Sequence, residues 1–287
     1  MLSVLIVSWN TRQLLSTCLR SIAQYPPDRK YEVIVVDNAS HDGSAEMVRT
    51  DFPWVRLVEA GKNLGYAAGN NLAFGLATGD TLLTLNPDTE FRDLALEASC
   101  QRLDEAPDYG SLAIRQRGMD GNTQRSIRGF PTVLNLAADL LGFTRLFPAA
   151  DTYFLRQFDY DQERPCPQPM ATFTLFRRTA LAKVGSVEAP FDPRFPIFFN
   201  DVDLMYRLHL AGEKCLYFPE ATVWHHGGEG TRQVKKSMIW ESHRCLMRYL
   251  WKHHAGGLAP LALFPLALVV YLAAFVRAKG YHAGFQT

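Results

Sequence analysis

Two apolar runs, Ser3-Val-Leu-Ile-Val-Ser-Trp9 and Glu32-Val-Ile-Val-Val-Asp37, are joined by helix-period sequence in a unit of roughly thirty residues, and this constrains the fold more than any other feature. Between them Leu14, Leu15, Cys18, Leu19 and Ile22 recur on one helical face until Pro26-Pro27 stops the helix. Strands that are apolar without alternation and joined by a crossover helix pair in parallel, in a sheet covered on both faces. The rhythm continues with a helix from Ser44, a strand over 55–58, a helix over 67–77 and a strand over 81–85. This opening third reads as a doubly wound α/β half, with ligands expected beyond the carboxyl ends of its strands.

From Asp108 to Pro169 the periodicity is broken by Gly118, Gly121, Gly129 and five prolines, which predicts long loops around one or two short helices. Regularity returns with a strand over 170–176, a short helix over 179–184 and a helix from Asn200 that turns Leu204, Met205 and Leu208 inward. Strands over 214–218 and 221–224 close the pattern, followed by a basic helical stretch after Gly230 and an apolar run from Leu258 to Val276.

At 287 residues, 47% hydrophobic and 21% charged, the chain has the makings of a sizeable core, and disorder is expected only near the ends. A net charge of +1 lacks the basic excess of a nucleic-acid binder. The five cysteines form no CxxC pair, so neither a zinc knuckle nor a disulfide framework is expected and a reducing, cytoplasmic setting is. No basic n-region or small-residue cleavage site precedes the first strand, so a cleaved secretion signal is not expected.

Polar residues that follow apolar strands are the first candidates for chemistry. Asp37 ends the second strand, where its carboxylate either accepts hydrogen bonds from a base edge or ribose, or caps the turn before Ser44. Asp88, in Asn86-Pro-Asp88, is either a common turn residue or a hard oxygen ligand for Mg²⁺ or Mn²⁺. Asp201 and Asp203 open a helix, either as capping residues or as a general base with a supporting carboxylate. His225 and His226 end a strand, either as ordinary neighbours or as one metal ligand with one structural partner.

These segments occur in one order: Ser3 to Asn10, Glu32 to Ser44, Asn63-Leu-Gly-Tyr-Ala-Ala-Gly-Asn-Asn71, Leu85 to Asp88, Phe176 to Gly185, Phe198-Phe-Asn-Asp-Val-Asp-Leu204 and His225-His-Gly-Gly228. Together they resemble the family 2 glycosyltransferases of rhamnosyltransferase type, which have a GT-A fold. The resemblance implies a doubly wound, mostly parallel sheet with helices on both faces, plus a C-terminal helical apolar tail. It implies a transferase domain over 1–230, with a nucleotide-binding half over 1–105 and an acceptor-binding, catalytic half over 106–230, then the tail over 231–287. By matching position, Asp37 reads the base, Asp88 ends the DxD-type metal motif, Asp201 is the catalytic aspartate and His225 is the late metal or diphosphate ligand. Asn10, Asn38, Asn63, Gly65, Tyr66, Asn70 and Asn86 join Asp37 as donor-binding candidates, and Gly65 and Gly69 are expected to let backbone approach the ligand. Two positions depart from the pattern: Asn86 replaces the first acid of a strict DxD, and Asn200 stands where many relatives carry glutamate.

The implied reaction is inverting transfer of rhamnose or a similar sugar from a dTDP- or UDP-linked donor to a lipid-linked or cell-envelope glycan, with Mg²⁺ or Mn²⁺ as cofactor. Asp203 is expected to orient Asp201 or an acceptor hydroxyl. Arg125, Arg128 and Arg232 either bind phosphate or are solvated surface residues. A non-catalytic nucleotide-sugar-binding scaffold of the same fold is the alternative. A dehydrogenase is disfavoured because Ser8-Trp-Asn-Thr-Arg12 stands where a Gly-x-Gly-x-x-Gly turn belongs. The tail, flanked by cations but carrying Pro260 and Pro265, is expected to lie on the inner face of the cytoplasmic membrane, to pack on the core or a second subunit, or to span the bilayer.

Overall fold

The computed structural model describes residues 1–227, 235–257 and 259–279; Arg232 lies outside the described residues. The first half runs β1 (Leu2–Ser8), α1 (Arg12–Gln24), β2 (Tyr31–Asp37), α2 (Ser44–Asp51), β3 (Arg56–Glu59), α3 (Gly65–Phe74) and β4 (Thr81–Leu85). There follow β5 (Thr89–Glu90), α4 (Ala95–Asp104), β6 (Tyr109–Arg117), β7 (Ile127–Arg128), α5 (Val133–Leu140) and α6 (Phe143–Leu146). The remainder is β8 (Arg164–Cys166), β9 (Gln168–Pro169), β10 (Phe173–Arg177), α7 (Arg178–Ala182), α8 (Asn200–Leu210), β11 (Lys214–His225), α9 (Lys235–His254) and α10 (Ala259–Ala278).

The main sheet runs β3-β2-β1-β4-β10-β6-β11-β5, with β8 paired to β11 off this path. Strands β3, β2, β1 and β4 are parallel, whereas β10 runs antiparallel to both neighbours. The uninterrupted apolar runs follow from this layout. Val4, Ile6, Val33 and Val35 enter the core under α1, α2 and α4, while Leu5, Val7, Ile34 and Val36 enter the one under α3 and α8. Both faces of β1 and β2 are therefore covered, and alternation would have left one face polar.

Two expectations are corrected. The region from Asp108, expected as long loops around one or two short helices, holds those helices but opens with a nine-residue strand, β6, central in the sheet between β10 and β11. Its polar end, Arg115-Gln-Arg117, hides the strand pattern, yet Gln116 is buried and Arg115 is paired to Asp161. The two expected closing strands are one, β11, whose register against β6 shifts between Phe218 and Thr222 around Pro219.

A third apolar cluster ties the C-terminal helices to this frame, as Tyr249, Leu250, Leu263 and Val270 pack with Val202 and Tyr206 of α8 and with Val133 and Leu136 of α5. At its edge Asp203, fully buried, receives Arg207 Nε at 2.9 Å, Lys252 Nζ at 2.5 Å and His253 Nε2 at 2.7 Å. The carboxylate therefore braces α9 against α8. Burial alone would raise its pKa, but the hydrogen bonds from His253 and Lys252 and the charges of Arg207 and Lys252 hold it below the usual carboxylate value. The expectation that Asp203 orients Asp201 or an acceptor hydroxyl is corrected, because both its oxygens are committed to cations. Among the described residues no helix is long and apolar enough to cross a membrane. In α10, Pro260 occupies the first turn, where no amide donor is needed, while Pro265 lies inside the helix.

Removing the buried carboxylate leaves its cations uncompensated, so Asp203→Ala should cost about 3–5 kcal/mol in chemical denaturation at neutral pH. A depressed folded-state pKa stabilises fully above the ordinary aspartate value and is lost as pH falls through the depressed one. The gap between wild type and variant should therefore narrow on acidification, and a gap that stays constant with pH would contradict the brace.

Candidate active site

The carboxyl ends of β1, β2, β3 and β4 open on one edge of the sheet, and the candidate donor residues gather there. Asp37 ends β2 and is 3% exposed; its Oδ2 accepts the Ser40 amide at 3.0 Å, while its Oδ1 is buried with no partner among the described residues. A buried acceptor without a donor is costly, and a hydrogen-bond donor on a base would satisfy it. Asn10, at a positive φ of 51°, braces the loop after β2 by accepting the His41 amide at 2.8 Å.

Several of the remaining donor candidates are occupied by the protein itself. Asn38 donates to the Gly65 carbonyl at 3.0 Å, Asn63 accepts the Gly65 amide at 2.9 Å and Asn70 donates to the Tyr66 carbonyl at 3.0 Å. Gly65 has φ of +78°, and a Cβ there would stand 2.8 Å from the Pro196 carbonyl, which accepts the Tyr66 and Ala67 amides. A Cβ on Gly69 would meet Val7 at 2.8 Å. These two glycines serve close packing of α3 against the 190s loop and β1, which corrects the expectation that they make room for a ligand.

Asp88 and His225 come together because β5 and β11 pair antiparallel, with His225 opposite Thr89 and the His226 amide donating to the Asp88 carbonyl at 3.0 Å. Asp88 Oδ2 and His225 Nε2 lie 3.4 Å apart, in side chains 9% and 10% exposed. Gln124, absent from the sequence-derived site, sets the imidazole. Its Nε2 donates to the His225 carbonyl at 3.2 Å, so its Oε1 is the acceptor that faces His225 Nδ1 at 2.8 Å. Nδ1 then carries a proton, and Nε2 is the ring nitrogen turned toward Asp88. The two residues are 101 positions apart, beyond the reach of any local spacing signal.

A carboxylate and an imidazole suit a divalent ion, and adjacent ligands on an octahedral ion stand about 3 Å apart at bond lengths of about 2.1 Å. The pair thus fits two neighbouring positions on Mg²⁺ or Mn²⁺. Among the described residues no group of three or more His, Cys, Asp or Glu side chains is placed to hold a metal. Substrate oxygens and water are needed to complete the shell, as is usual for Mg²⁺. His226 Nε2 is buried without a partner among the described residues.

Asp201 lies in the first turn of α8, after Phe199 at a positive φ of 62°. A bulky residue there is strained, and the strain fixes where the helix begins. Asp201 Oδ1 accepts the Val202 amide at 2.8 Å, and Oδ2 accepts the Ala171 amide at 3.2 Å. Burial raises its pKa above the ordinary aspartate value, and the two amides restrain the rise. The Ala171 carbonyl in turn accepts Tyr66 Oη at 3.1 Å. Burial, and then the charges of Asp201 and Asp88, push the Tyr66 phenol well above its usual value. Thr172 next door accepts the Asn86 amide at 3.0 Å, so the 170–172 loop bridges the Asp88 turn and the start of α8. Arg128 spends Nη1 on the Arg125 and Ile127 carbonyls; burial raises the pKa of Tyr153, and the Arg128 charge restrains that rise; Arg125 is exposed.

Solved glycosyltransferases share this architecture. The mannosyltransferase PcManGT from Pyrobaculum calidifontis, in complex with GDP-Man and Mn²⁺, superposes with a TM-score of 0.61 at 20% identity, covering 99% of this chain and 76% of that one. S. aureus TarS 1–349 in complex with UDP gives 0.55 at 17% identity, over 90% and 73% of the two chains. In sequence, the N-acetylglucosaminyl-diphospho-decaprenol L-rhamnosyltransferase of Mycobacterium tuberculosis (strain ATCC 25618 / H37Rv) is 28% identical over 268 residues, which is 89% of this chain and 85% of the relative. The fold is thus that of glycosyltransferases with a mixed α/β, GT-A architecture. Residues 3–185 match Glycosyl transferase family 2, and the chain belongs to that family.

If Gln124 holds the imidazole for a metal, Gln124→Leu should raise the Mn²⁺ concentration needed for half-maximal nucleotide binding about 10- to 100-fold. Isothermal titration of UDP or dTDP at graded Mn²⁺ measures this; an unchanged requirement would remove Gln124 from the site.

Proposed function

We propose that this glycosyltransferase moves a sugar, with rhamnose the first candidate, from a dTDP- or UDP-linked donor to a hydroxyl of a lipid-linked or cell-envelope glycan, with inversion at the anomeric carbon. The observation that carries the reading is the meeting of Asp88 and His225, 3.4 Å apart, in a site where Ala171 links Asp201 to the Tyr66 hydroxyl. The acceptor class and the sugar follow those of the mycobacterial relative, a rhamnosyltransferase named for a diphospho-decaprenol-linked N-acetylglucosamine.

Each residue has a task in this reading. Asp37 Oδ1 takes a hydrogen bond from the base. Asp88 and His225 hold Mg²⁺ or Mn²⁺, which would neutralise charge developing on the departing diphosphate. Asp201 removes the proton of the attacking hydroxyl. Among the described residues no second carboxylate is assigned as a covalent nucleophile beside this base, so the reading is a single displacement with inversion. Burial suits Asp201 to this work because a raised pKa makes the carboxylate a better proton acceptor. A pure binding protein would have no use for such a group. Action on a lipid-linked acceptor would station the protein at the inner face of the cytoplasmic membrane, a setting consistent with five unpaired cysteines.

Asp201→Asn should keep nucleotide binding and lose about a hundredfold to ten-thousandfold in transfer, since the amide keeps the shape without the basicity. In the wild type, kcat/KM should fall on the acid side with a midpoint above the ordinary aspartate value, because transfer needs Asp201 ionised and burial raises its pKa. Near-wild-type turnover by the variant would rule out the base assignment.

A further inference from the structure

The outer stripe of α10 is apolar where a helix packed on one side should be polar. Its inner face, Leu263, Val270 and Ala274, is buried, with Leu266 and Ala267 partly so. Its outward positions are Leu261, Phe264, Leu268, Leu272 and Phe275, and Leu268 is 73% exposed. A helix that is apolar all round belongs inside something, and nothing in the chain covers this side of it among the described residues. The face extends beyond the helix: α5 touches α10, and Leu134, Leu141, Leu146 and Phe147 around α5 and α6 are also exposed.

The surroundings of this face identify what covers it. From Ser242 to Thr287 the sequence contains no Asp or Glu but carries Arg244, Arg248, Lys252, Arg277 and Lys279. Between α9 and α10 lies an open cavity of about 600 Å³, lined by Arg194, Arg244, Arg248, Lys252, Trp251 and Tyr271. Lys252 is held by Asp192 and Asp203, and Asp192 and Glu241 also pair with the three arginines, yet the Arg194, Arg244 and Arg248 side chains remain 67%, 56% and 45% exposed. Trp251 and Tyr271 are also exposed, and Trp251 meets Phe264 edge-on at 5.6 Å. Leucine and phenylalanine on the outward stripe, with tryptophan, tyrosine and arginine beside them, match the groups met on passing from the hydrocarbon of a bilayer through its interface to water. A second protein copy would ask for no such gradation.

We propose that the outer stripe of α10 and the α5–α6 corner form one docking face for an anionic phospholipid bilayer, with headgroup phosphate taken at the basic cavity between α9 and α10. The helices lie along the interface rather than through it, in keeping with the internal Pro265 and with the absence of a membrane-crossing helix among the described residues. The face serves the lipid-linked acceptor of the proposed function, and on that reading alone rests its purpose; the binding itself requires neither donor nor catalysis.

The test is flotation of the full chain with phosphatidylglycerol-containing vesicles at low salt, against pure phosphatidylcholine vesicles. The wild type should float with the anionic vesicles only. Phe264→Glu with Leu268→Glu, and separately Leu141→Glu with Leu146→Glu, should each reduce the bound fraction more than tenfold. Arg244→Gln should reduce partitioning about fivefold, the effect of one interfacial cation. All these side chains are exposed, so melting temperatures should hold and a lost interaction is distinguishable from a lost fold. Flotation by a chain that transfers no sugar would support the docking face while removing the transferase reading. A wild type that stays with the unbound fraction, or a dimer in vesicle-free solution that the glutamate substitutions split into monomers, would overturn the proposal.

Discussion

Two antiparallel rungs, Trp224 with Glu90 and His225 with Thr89, hold the late part of the chain against the early part at the point where the chemistry is placed. Without them Asp88 is a turn residue after β4 and His225 is the end of a strand. With them the two side chains stand 3.4 Å apart and the His226 amide is fixed to the Asp88 carbonyl. The rungs depend in turn on β11 keeping its place beside β6 through the shift at Pro219, which turns the last residues of the strand toward β5. Gln124 completes the arrangement by giving the ring one orientation and one tautomer.

The other half of the site is held by the opposite means, with fixed charges and amides instead of strand pairing. Asp201 has two backbone donors and a largely desolvated carboxylate, and Asp203, two residues on, has Arg207, Lys252 and the His253 ring as partners and no exposure. Neighbouring aspartates on one helical turn thus part company in ionisation: burial wins at Asp201 and raises its pKa, while cations win at Asp203 and lower it. The first is left able to take a proton. The second fastens α9, and through it α10, to the helix that carries the base.

The sequence made much of the fold legible where periodicity is undisturbed. The parallel strands β1, β2 and β4 and the helices α1 and α8 lie within a few residues of where the apolar pattern puts them, because burial on both faces leaves few polar exceptions. β6 escaped because its second half carries Arg115, Gln116 and Arg117, whose polar ends find partners at Asp161, Met170 and Gly121. In the site, strand-end position singled out Asp37 and Asp88. Helix-start spacing could not separate Asp201 from Asp203, since both fit a first turn; only the arrival of Lys252 and His253, some fifty residues later, distinguishes them. Gln124 was invisible for the same reason. Its role is created by a contact across the sheet and by no feature of its neighbours in sequence.

The claim at the centre of this account is that Asp88 Oδ2 and His225 Nε2 are adjacent ligands of one divalent ion that also holds the donor diphosphate. Anomalous diffraction from crystals grown with Mn²⁺ and UDP or dTDP tests it most directly. The account predicts one Mn²⁺ peak within about 2.0–2.4 Å of both atoms, with diphosphate oxygens in its remaining positions and the base near Asp37. A bound nucleotide with Mn²⁺ on neither side chain would contradict it.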